Sequence, residues 1–290
     1  MEFIEKEKLN NFSTCAICNS DSKIIDSVKT ININSDDKLN LRECNSCKHW
    51  WIDPMPGQQY LNYLYETGSE FVVSSGYQGR EEPEKAESDR YVSRFLNTTE
   101  DISDLNYLEI GVGPGYLFNF FEKKVKNCYG VDPCNWKPDK PTIFSDIDKI
   151  PKGIKFNIIV IQDVLEHLED PVNMLIKAKI LANPGCMLSC GFPNKDALIA
   201  KVLKGKWDMI RPIGHLHYFS SKSIKKMFER SGWEIVKKYS YWPVSYPLYY
   251  LKFFNFHSKN PLKLIYRIFR DLLLKQLLFG KDQWYVVGKA

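Results

Sequence analysis

The chain has 290 residues, of which 44% are hydrophobic and 26% are charged, and this ordinary globular composition excludes a disordered or fibrous protein. Its formal net charge is +5, far below the excess that a histone-like nucleic-acid binder carries. The first residues are charged and no run of about 18 apolar residues occurs, so we expect no signal peptide, no membrane span and a cytoplasmic location with reduced thiols.

Four of the eight cysteines form two CxxC pairs near the N-terminus, and these are Cys15, Cys18, Cys44 and Cys47. Each CxxC turn can present two thiolates to one ion, and four thiolates are a ligand set that structural Zn²⁺ accepts. A strand-like segment at residues 23–33 lies between the pairs. The pattern predicts a zinc-ribbon module over residues 1–57, in which the metal stabilises the fold and takes no part in catalysis. Four unrelated thiols, or a redox CxxC that needs only one pair, are the alternatives.

Residues 58–100 join this module to the rest of the chain. Tyr60, Tyr63, Leu64 and Phe71 suggest a short amphipathic helix, which a polar, charged stretch follows. A second helix is predicted at residues 89–97. We interpret the whole segment as a helical linker or flap.

From residue 106 the pattern becomes strand, glycine turn and helix. An apolar strand ends at Ile110, the turn reads GVGPG, and apolar residues at helical spacing follow from Tyr116. Glycines allow a sharp turn and a close approach of the backbone to a ligand, which favours a nucleotide site. The third glycine comes one residue too early for the dinucleotide fingerprint GxGxxG, and no GKS or GKT follows, so a P-loop is excluded.

With Glu109 before the first glycine, the pattern ExGxGxG resembles motif I of the class I S-adenosylmethionine-dependent methyltransferases. The resemblance implies a doubly wound, mostly parallel, seven-stranded α/β sheet of the Rossmann-like type over residues 101–290, with an antiparallel strand near one edge. It implies S-adenosyl-L-methionine as the cofactor, with Asp132 on both ribose hydroxyls and Asp146 on the adenine amino group. The predicted cofactor-binding residues are Glu109, Gly111, Gly113, Gly115, Asp132, Asp146 and Gln162.

Further short apolar runs predict the other strands of this sheet, at residues 128–131, 143–144, 156–161, 186–190, 234–239 and 283–288. Helices are predicted to begin after Asp170 and after Ser220 or Ser221. The strand and helix units alternate along the chain, which is typical of a doubly wound fold.

A four-cysteine module followed by this domain resembles a methyltransferase subgroup associated with sugar and surface-polysaccharide biosynthesis. The resemblance implies a small polar acceptor, and we expect a hydroxyl of a sugar or nucleotide sugar. The segment GHLHYFS is similar to the one that supplies the base in related sugar C-methyltransferases. Those enzymes have Glu where this chain has Leu216, and they carry a further domain, so O-methylation is favoured and C-methylation is the alternative.

A hydroxyl acceptor must lose its proton, and histidine is the side chain suited to accept it near neutral pH. His215 and His217 alternate, so they share one face of an extended segment, and they are candidate bases or core residues. His167 is the third catalytic candidate. It follows Asp163 and Glu166 in a pattern similar to the EMxEH segment of quinone O-methyltransferases, which has been linked to a divalent cation.

Two other functions remain open. An RNA or DNA methyltransferase could use the ribbon to hold nucleic acid, but QDVL stands where base N-methyltransferases have an NPPY-like motif, and basic and acidic residues alternate around the ribbon. A non-catalytic scaffold is disfavoured by the intact glycines and Asp132. Residues 240–280 combine many aromatics with an amphipathic pattern. This predicts a lid over the acceptor pocket, a homodimer interface or a peripheral contact with anionic lipid.

Overall fold

A computed structural model of the chain describes residues 9–29, 38–57, 61, 101–134, 140–211, 214–241 and 283–290. The predicted helices of the 58–100 segment, apart from Leu61, and the predicted insertion beyond Tyr241 lie outside the described residues. Within the described ranges, no helix has the length and apolar character needed to cross a membrane.

The structure contains thirteen strands and four α-helices within those ranges. The strands are β1 Leu9–Asn10, β2 Ser22–Lys29, β3 Lys38–Cys44, β4 Trp50–Asp53, β5 Met55–Pro56, β6 Asn106–Ile110, β7 Asn127–Val131, β8 Ile143–Phe144, β9 Phe156–Gln162, β10 Ala182–Pro193, β11 His217–Tyr218, β12 Glu234–Tyr241 and β13 Gln283–Lys289. The helices are α1 Tyr116–Glu122, α2 Pro171–Ile180, α3 Leu198–Leu203 and α4 Ser221–Ser231.

Seven strands form the main sheet, in the order β12-β13-β10-β9-β6-β7-β8. The pairs from β10 to β8 are parallel, whereas β13 is antiparallel to both of its neighbours. This confirms the predicted fold, including the antiparallel strand near one edge. The chain reverses its direction of winding between β6 and β9, and ligands of such sheets bind outside the carboxyl ends of the strands at this switch point.

Helices cover both faces of the sheet, which explains the nearly unbroken apolar runs of the central strands. On one face, Leu108 and Ile159 pack with Leu175 of α2 and Phe228 of α4. On the other face, Tyr107, Ile158 and Val160 pack with Phe118 and Phe121 of α1. The sheet is therefore a rigid support for the loops at its carboxyl edge.

The starts of two helices follow the sequence signals. Asp170 precedes α2 and its side chain accepts a hydrogen bond from Asn173 N, at 3.0 Å. Ser220 precedes α4 and forms a capping box with Ser223. Capping satisfies backbone N–H groups that have no partner inside the helix, so both predicted starts are confirmed.

A second sheet of four strands, in the order β11-β4-β3-β2, joins the N-terminal segment to the C-terminal one. In the antiparallel pair of β11 and β4, His217 lies opposite Trp51 and Tyr218 lies opposite Trp50. Leu216 O also accepts a hydrogen bond from Ile52 N, at 3.0 Å. The segments on either side of the predicted boundary at residue 57 thus share one sheet.

Candidate active site

The glycine turn connects β6 to α1 at the switch point of the main sheet. Gly111, Gly113 and Gly115 have φ angles of 85°, 49° and 81°, in the left-handed region that glycine adopts at little cost. A Cβ atom on Gly111 would lie 2.2 Å from Cγ2 of Val164, in the loop after β9. The turn and this loop are therefore in close contact, which leaves no room for a side chain at Gly111.

Asp132 follows β7 and lies beside the turn. Its Oδ2 accepts a hydrogen bond from Gly113 N at 2.7 Å, and its Oδ1 accepts one from Cys134 N at 2.8 Å. Burial raises the pKa of Asp132, while these two hydrogen bonds act in the opposite direction. A carboxylate offers about four lone pairs, so each oxygen keeps a further acceptor position after these contacts.

The two other acids predicted for the cofactor site have different surroundings. Glu109 is buried, accepts a hydrogen bond from the Tyr107 hydroxyl at 3.1 Å, and has a pKa raised well above its usual value by burial. Asp146 lies at the surface end of β8 and caps a 3-10 turn through Asp148 N, at 2.8 Å. Glu109 thus makes a buried contact within β6, whereas Asp146 has a second carboxylate oxygen that could accept a hydrogen bond from another donor.

Gln162 ends β9, the strand next to the glycine turn. Its side chain lies over Gly191 of β10, where a Cβ atom would come within 2.2 Å of Nε2. The Nε2 group donates a long hydrogen bond to the Tyr241 hydroxyl at 3.5 Å, and the buried Oε1 has no hydrogen-bond partner. This carbonyl oxygen can therefore accept a hydrogen bond from a ligand at the carboxyl edge.

A cluster of Glu166, His167 and His215 lies at the same edge. The first two belong to the 3-10 turn Leu165–His167 after β9, and His215 precedes β11. The potential ligand atoms of the three side chains lie within 4.8 Å of one another, and the two imidazole rings meet edge to face at 4.8 Å. Leu216 N donates a hydrogen bond to Glu166 O at 2.7 Å and so joins the two segments.

Backbone carbonyl groups orient both imidazoles of the cluster. His215 Nδ1 lies 2.9 Å from Met209 O, and His167 hydrogen-bonds to the backbone of Gly214. A carbonyl group only accepts, so each ring donates one N–H and keeps the lone pair of its second nitrogen when neutral. Burial lowers the pKa of His167 to about 4 and that of His215 well below its usual value, which favours the neutral forms.

A residue with an unusual backbone conformation precedes the cluster, and one carboxylate oxygen of the cluster has no partner. Asp163, between Gln162 and the 3-10 turn, has a φ of 53°, which is rare for a residue other than glycine. Glu166 is 1% exposed and its Oε2 has no hydrogen-bond partner. Burial, and then the nearby charge of Asp163, raise the pKa of Glu166 well above its usual value.

His217 occupies a different environment from His215. Its Nδ1 lies 3.0 Å from Nε2 of His49, and its Nε2 lies 3.2 Å from Glu169 O. Both ring nitrogens are therefore engaged within the protein, and burial lowers the pKa of His217 to about 4. His215 and His217 thus have separate partners. His49 was not predicted from the sequence, because its position two residues after a CxxC pair carries no signal for this contact.

The four N-terminal cysteines converge at one point. Their Sγ atoms lie within 4.8 Å of one another, with Cys15 and Cys47 at 3.6 Å and Cys18 and Cys44 at 3.4 Å, and no disulfide joins them. Four sulfurs at about 2.3 Å from a tetrahedral zinc ion are about 3.8 Å apart. Cys47 N also donates a hydrogen bond to Cys44 Sγ at 3.3 Å. The cluster has the dimensions of a tetrahedral thiolate site.

Helix α4 and the serine that caps it contact the segments that carry this cysteine cluster. Arg230 donates hydrogen bonds to Ala16 O at 2.7 Å and to Ile17 O at 2.6 Å, inside the first CxxC pair. The Ser220 hydroxyl donates one to Cys47 O at 2.6 Å, in the second pair. The N-terminal module is therefore attached directly to the segment that carries His215.

Known proteins share this fold. A crystal structure of a SAM-dependent methyltransferase from Archaeoglobus fulgidus is similar with a TM-score of 0.52 and 17% identity, over 77% of this chain and 100% of that one. A chain in the complex of the Haloferax volcanii Trm112 methyltransferase activator with a methyltransferase is similar with a TM-score of 0.51 and 14% identity, over 73% of this chain and 92% of that one.

A sequence relative from Methanocaldococcus jannaschii, an uncharacterized protein, is 26% identical over 137 residues. The match covers 45% of this chain and 65% of the relative, so the chain spans less than two thirds of that protein's length. The methyltransferase-domain family matches residues 79–238, which is more than half of the chain. Together with the sheet order and the glycine turn at its switch point, this match shows that the chain belongs to the methyltransferase-domain family.

Proposed function

We propose that the protein transfers a methyl group from S-adenosylmethionine to a hydroxyl of a small polar acceptor, a sugar or nucleotide sugar used in surface-polysaccharide or secondary-metabolite biosynthesis. The observation that carries this proposal is the position of the cluster of Glu166, His167 and His215. Glu166 and His167 closely follow Val164, which contacts Gly111 of the glycine turn. A group able to activate a hydroxyl therefore lies next to the proposed cofactor site.

The cofactor half of the site consists of the glycine turn and the carboxyl ends of three strands. Asp132 would accept hydrogen bonds from the ribose hydroxyls through its remaining lone pairs, and Asp146 would accept one from the adenine amino group. The unpaired Oε1 of Gln162 would accept a hydrogen bond from the amino group of the methionine moiety. Glu109 would stabilise β6, the strand before the glycine turn, through its hydrogen bond with the Tyr107 hydroxyl.

The methyl transfer is an in-line displacement. The acceptor oxygen forms a bond to the methyl carbon while the carbon–sulfur bond breaks, and the electron pair of that bond stays on sulfur to give S-adenosylhomocysteine. The protein contributes the alignment of the two reactants and the removal of the hydroxyl proton. We assign the activation of the hydroxyl to the cluster that contains His167 and His215. His217 would have a positioning role, because its two nitrogens are already engaged with His49 and Glu169.

The four cysteines would hold one structural Zn²⁺. The support is their arrangement, in which four thiols converge at separations close to the edge of a zinc–thiolate tetrahedron. Four cysteine ligands leave no coordination position for a substrate, so the ion would stabilise the module. The contacts of Arg230 and Ser220 would transmit that stability to α4 and to the segment with His215.

A screen for S-adenosylhomocysteine release tests the proposed acceptor class. The full chain is incubated with S-adenosylmethionine and with nucleotide sugars, and in a parallel arm with bulk RNA. Release with a nucleotide sugar, followed by location of the methyl group on oxygen in the product, supports the proposal. Release with RNA alone would point to the nucleic-acid alternative, and a methyl group on carbon would point to the sugar C-methyltransferase alternative.

A further inference from the structure

Apart from the four cysteines, one other group of side chains in the described ranges could ligate a metal ion, and it is Glu166, His167 and His215. Their ligand atoms lie within 4.8 Å of one another, so modest side-chain rotations would bring them around one ion. Glu166 and His215 are buried, whereas the side chain of His167 is 23% exposed. The group is thus mostly enclosed by the protein, and His167 is its partly exposed member.

The carboxylate of this group is satisfied only in part, by a backbone hydrogen bond and by the nearby positive charge of Arg211. Glu166 Oε2 has no partner, and Oε1 lies 4.0 Å from Nε2 of His167, beyond hydrogen-bond distance. Burial of a carboxyl group without a partner is costly, and such groups normally pair with a donor or a cation. A metal ion beside Glu166 would pair with Oε2, the oxygen that these contacts leave without a partner.

The two imidazoles are oriented as metal ligands are. Ligating histidines commonly donate their second N–H to a backbone carbonyl, which fixes the ring and leaves the other nitrogen for the ion. His215 makes this contact with Met209 O at 2.9 Å, and His167 makes one with the backbone of Gly214. The rings lie edge to face at 4.8 Å, so they approach the space beside Glu166 from different directions.

We propose that Glu166, His167 and His215 bind one divalent transition-metal ion at the acceptor side of the cofactor turn. Two imidazoles with one carboxylate favour ions such as Mn²⁺, Fe²⁺, Co²⁺ or Zn²⁺ over Mg²⁺ and Ca²⁺, which prefer oxygen ligands. Three protein ligands leave coordination positions for water and for an acceptor oxygen.

The role of the ion rests on the proposed function. A hydroxyl that coordinates a divalent ion loses its proton more readily, because the positive charge lowers its pKa. The proton would pass to water at the exposed side of His167, and the resulting oxygen anion would attack the methyl carbon. His167 and His215 would then act as ligands, and neither would be the base. Asp163, the other acid of the sequence pattern, is not a member of the group.

Direct measurement of metal binding tests the inference without any acceptor. The full chain, with zinc retained at the cysteines, is titrated with Mn²⁺ by calorimetry and analysed for metal content after dialysis. Mn²⁺ is chosen because it has little preference for thiolates. We expect one Mn²⁺ per chain in addition to one zinc ion. Glu166→Gln and His215→Ala should each weaken Mn²⁺ binding by about tenfold or more, since each removes one of three ligands.

Glu169→Gln is the matched control, since it makes the same change three residues further along and outside the group. Its Mn²⁺ affinity should equal that of the wild type, and the affinity of Glu166→Gln for S-adenosylmethionine should show that this variant is folded. Absence of Mn²⁺ binding in the wild type, or equal binding in Glu166→Gln, would overturn the inference. Methyl transfer at full rate without the second ion would also overturn the metal inference, and the proposed methyl transfer would still stand. Mn²⁺ binding with no methylated acceptor would count against the proposed function alone.

Discussion

At the scale of single residues, two positions of the glycine turn are central to the proposed cofactor site. Gly111 must adopt a φ of 85° and must leave room for Val164, while Gly113 donates its N–H to Asp132. These requirements arise from contacts between segments far apart in sequence. The glycine spacing predicted the turn, but it carried no information about Val164.

Substitution of Gly111 separates backbone strain from close contact. A side chain in the left-handed region costs about 1–2 kcal/mol of stability. Gly111→Ala should destabilise the fold by more than this amount, because its Cβ atom would also lie 2.2 Å from Val164. Gly153→Ala is the control, since Gly153 has a φ of 89° and no neighbouring atom within 4 Å of a Cβ position. Urea unfolding measures both variants, and an equal loss of stability would show that contact with Val164 is unimportant.

Asp132→Ala should weaken S-adenosylmethionine binding. The substitution removes hydrogen bonds to a charged acceptor, worth about 1–3 kcal/mol, or roughly 5-fold to 150-fold in the dissociation constant. Calorimetric titration of the cofactor gives this value directly. Asp148→Ala, whose side chain is exposed near Asp146, should bind the cofactor as the wild type does. Unchanged affinity in Asp132→Ala would remove this residue from the cofactor site.

Glu109 provides a prediction about pH. Its pKa is raised well above the usual value by burial, so the folded protein keeps it protonated at pH values where the unfolded chain ionises it. A raised pKa of this kind stabilises the fold below the unfolded pKa of about 4.3, and the contribution falls by about 1.4 kcal/mol per pH unit above it. Glutamine does not ionise, so Glu109→Gln should lower the pH dependence, and its amide oxygen keeps an acceptor for Tyr107. Unfolding at pH 5 and pH 8 measures this, and identical pH slopes in both proteins would contradict it.

At the scale of elements, local patterns predicted the strands of the main sheet and the starts of α2 and α4. Apolar runs such as residues 156–161 are typical of central strands in a parallel sheet, which are buried on both faces. Asp170 and Ser220 belong to residue types that are preferred as helix N-caps. The pairing of β11 with β4 had no such signal. It joins residues far apart in sequence, and β11 has only two residues. The contact of His49 with His217 depends on this pairing, so it could not be foreseen.

The contact between α4 and the cysteine cluster is testable through Arg230. Arg230→Ala removes two hydrogen bonds that a charged group donates to Ala16 O and Ile17 O, and the removal of each should destabilise the fold by about 1.5–3 kcal/mol. Zinc should also leave the protein faster when a chelator is added. Lys226→Ala on the same helix, which removes an exposed ion pair with Glu229, should change neither property much. Equal zinc release from the two variants would show that Arg230 does not support the cluster.

At the scale of the whole molecule, the N-terminal module and the domain with the main sheet share one hydrophobic core. Trp51, Cys44 and Cys47 pack in the same buried cluster as Leu108 and Phe228 of the main domain. The sequence predicted a module over residues 1–57, a domain over residues 101–290 and four cysteines as zinc ligands, and the structure brings these four cysteines together. It could not show that the module contacts the segment with His215, because such contacts depend on three-dimensional packing.

Removal of zinc should therefore affect more than the module. We expect one zinc ion per chain by elemental analysis, and its removal should lower the melting temperature and weaken cofactor binding, since β11 and α4 lose their support. Cys47→Ser provides the same test by substitution, whereas Cys190→Ser, at a buried cysteine outside the cluster, should leave the zinc content unchanged. A zinc-free chain that folds and melts as the wild type does would contradict this account.

The central claim is that the cluster beside the cofactor turn activates the acceptor. The most direct measurement is the rate of methyl transfer by His215→Ala at saturating S-adenosylmethionine, with the acceptor found in the screen. His215 belongs to the cluster and not to the glycine turn, so the rate should fall by about 10²–10⁴-fold while cofactor affinity stays at the wild-type value. Near wild-type turnover in His215→Ala would contradict the claim, since the cluster would then be structural and the acceptor proton would leave by another route.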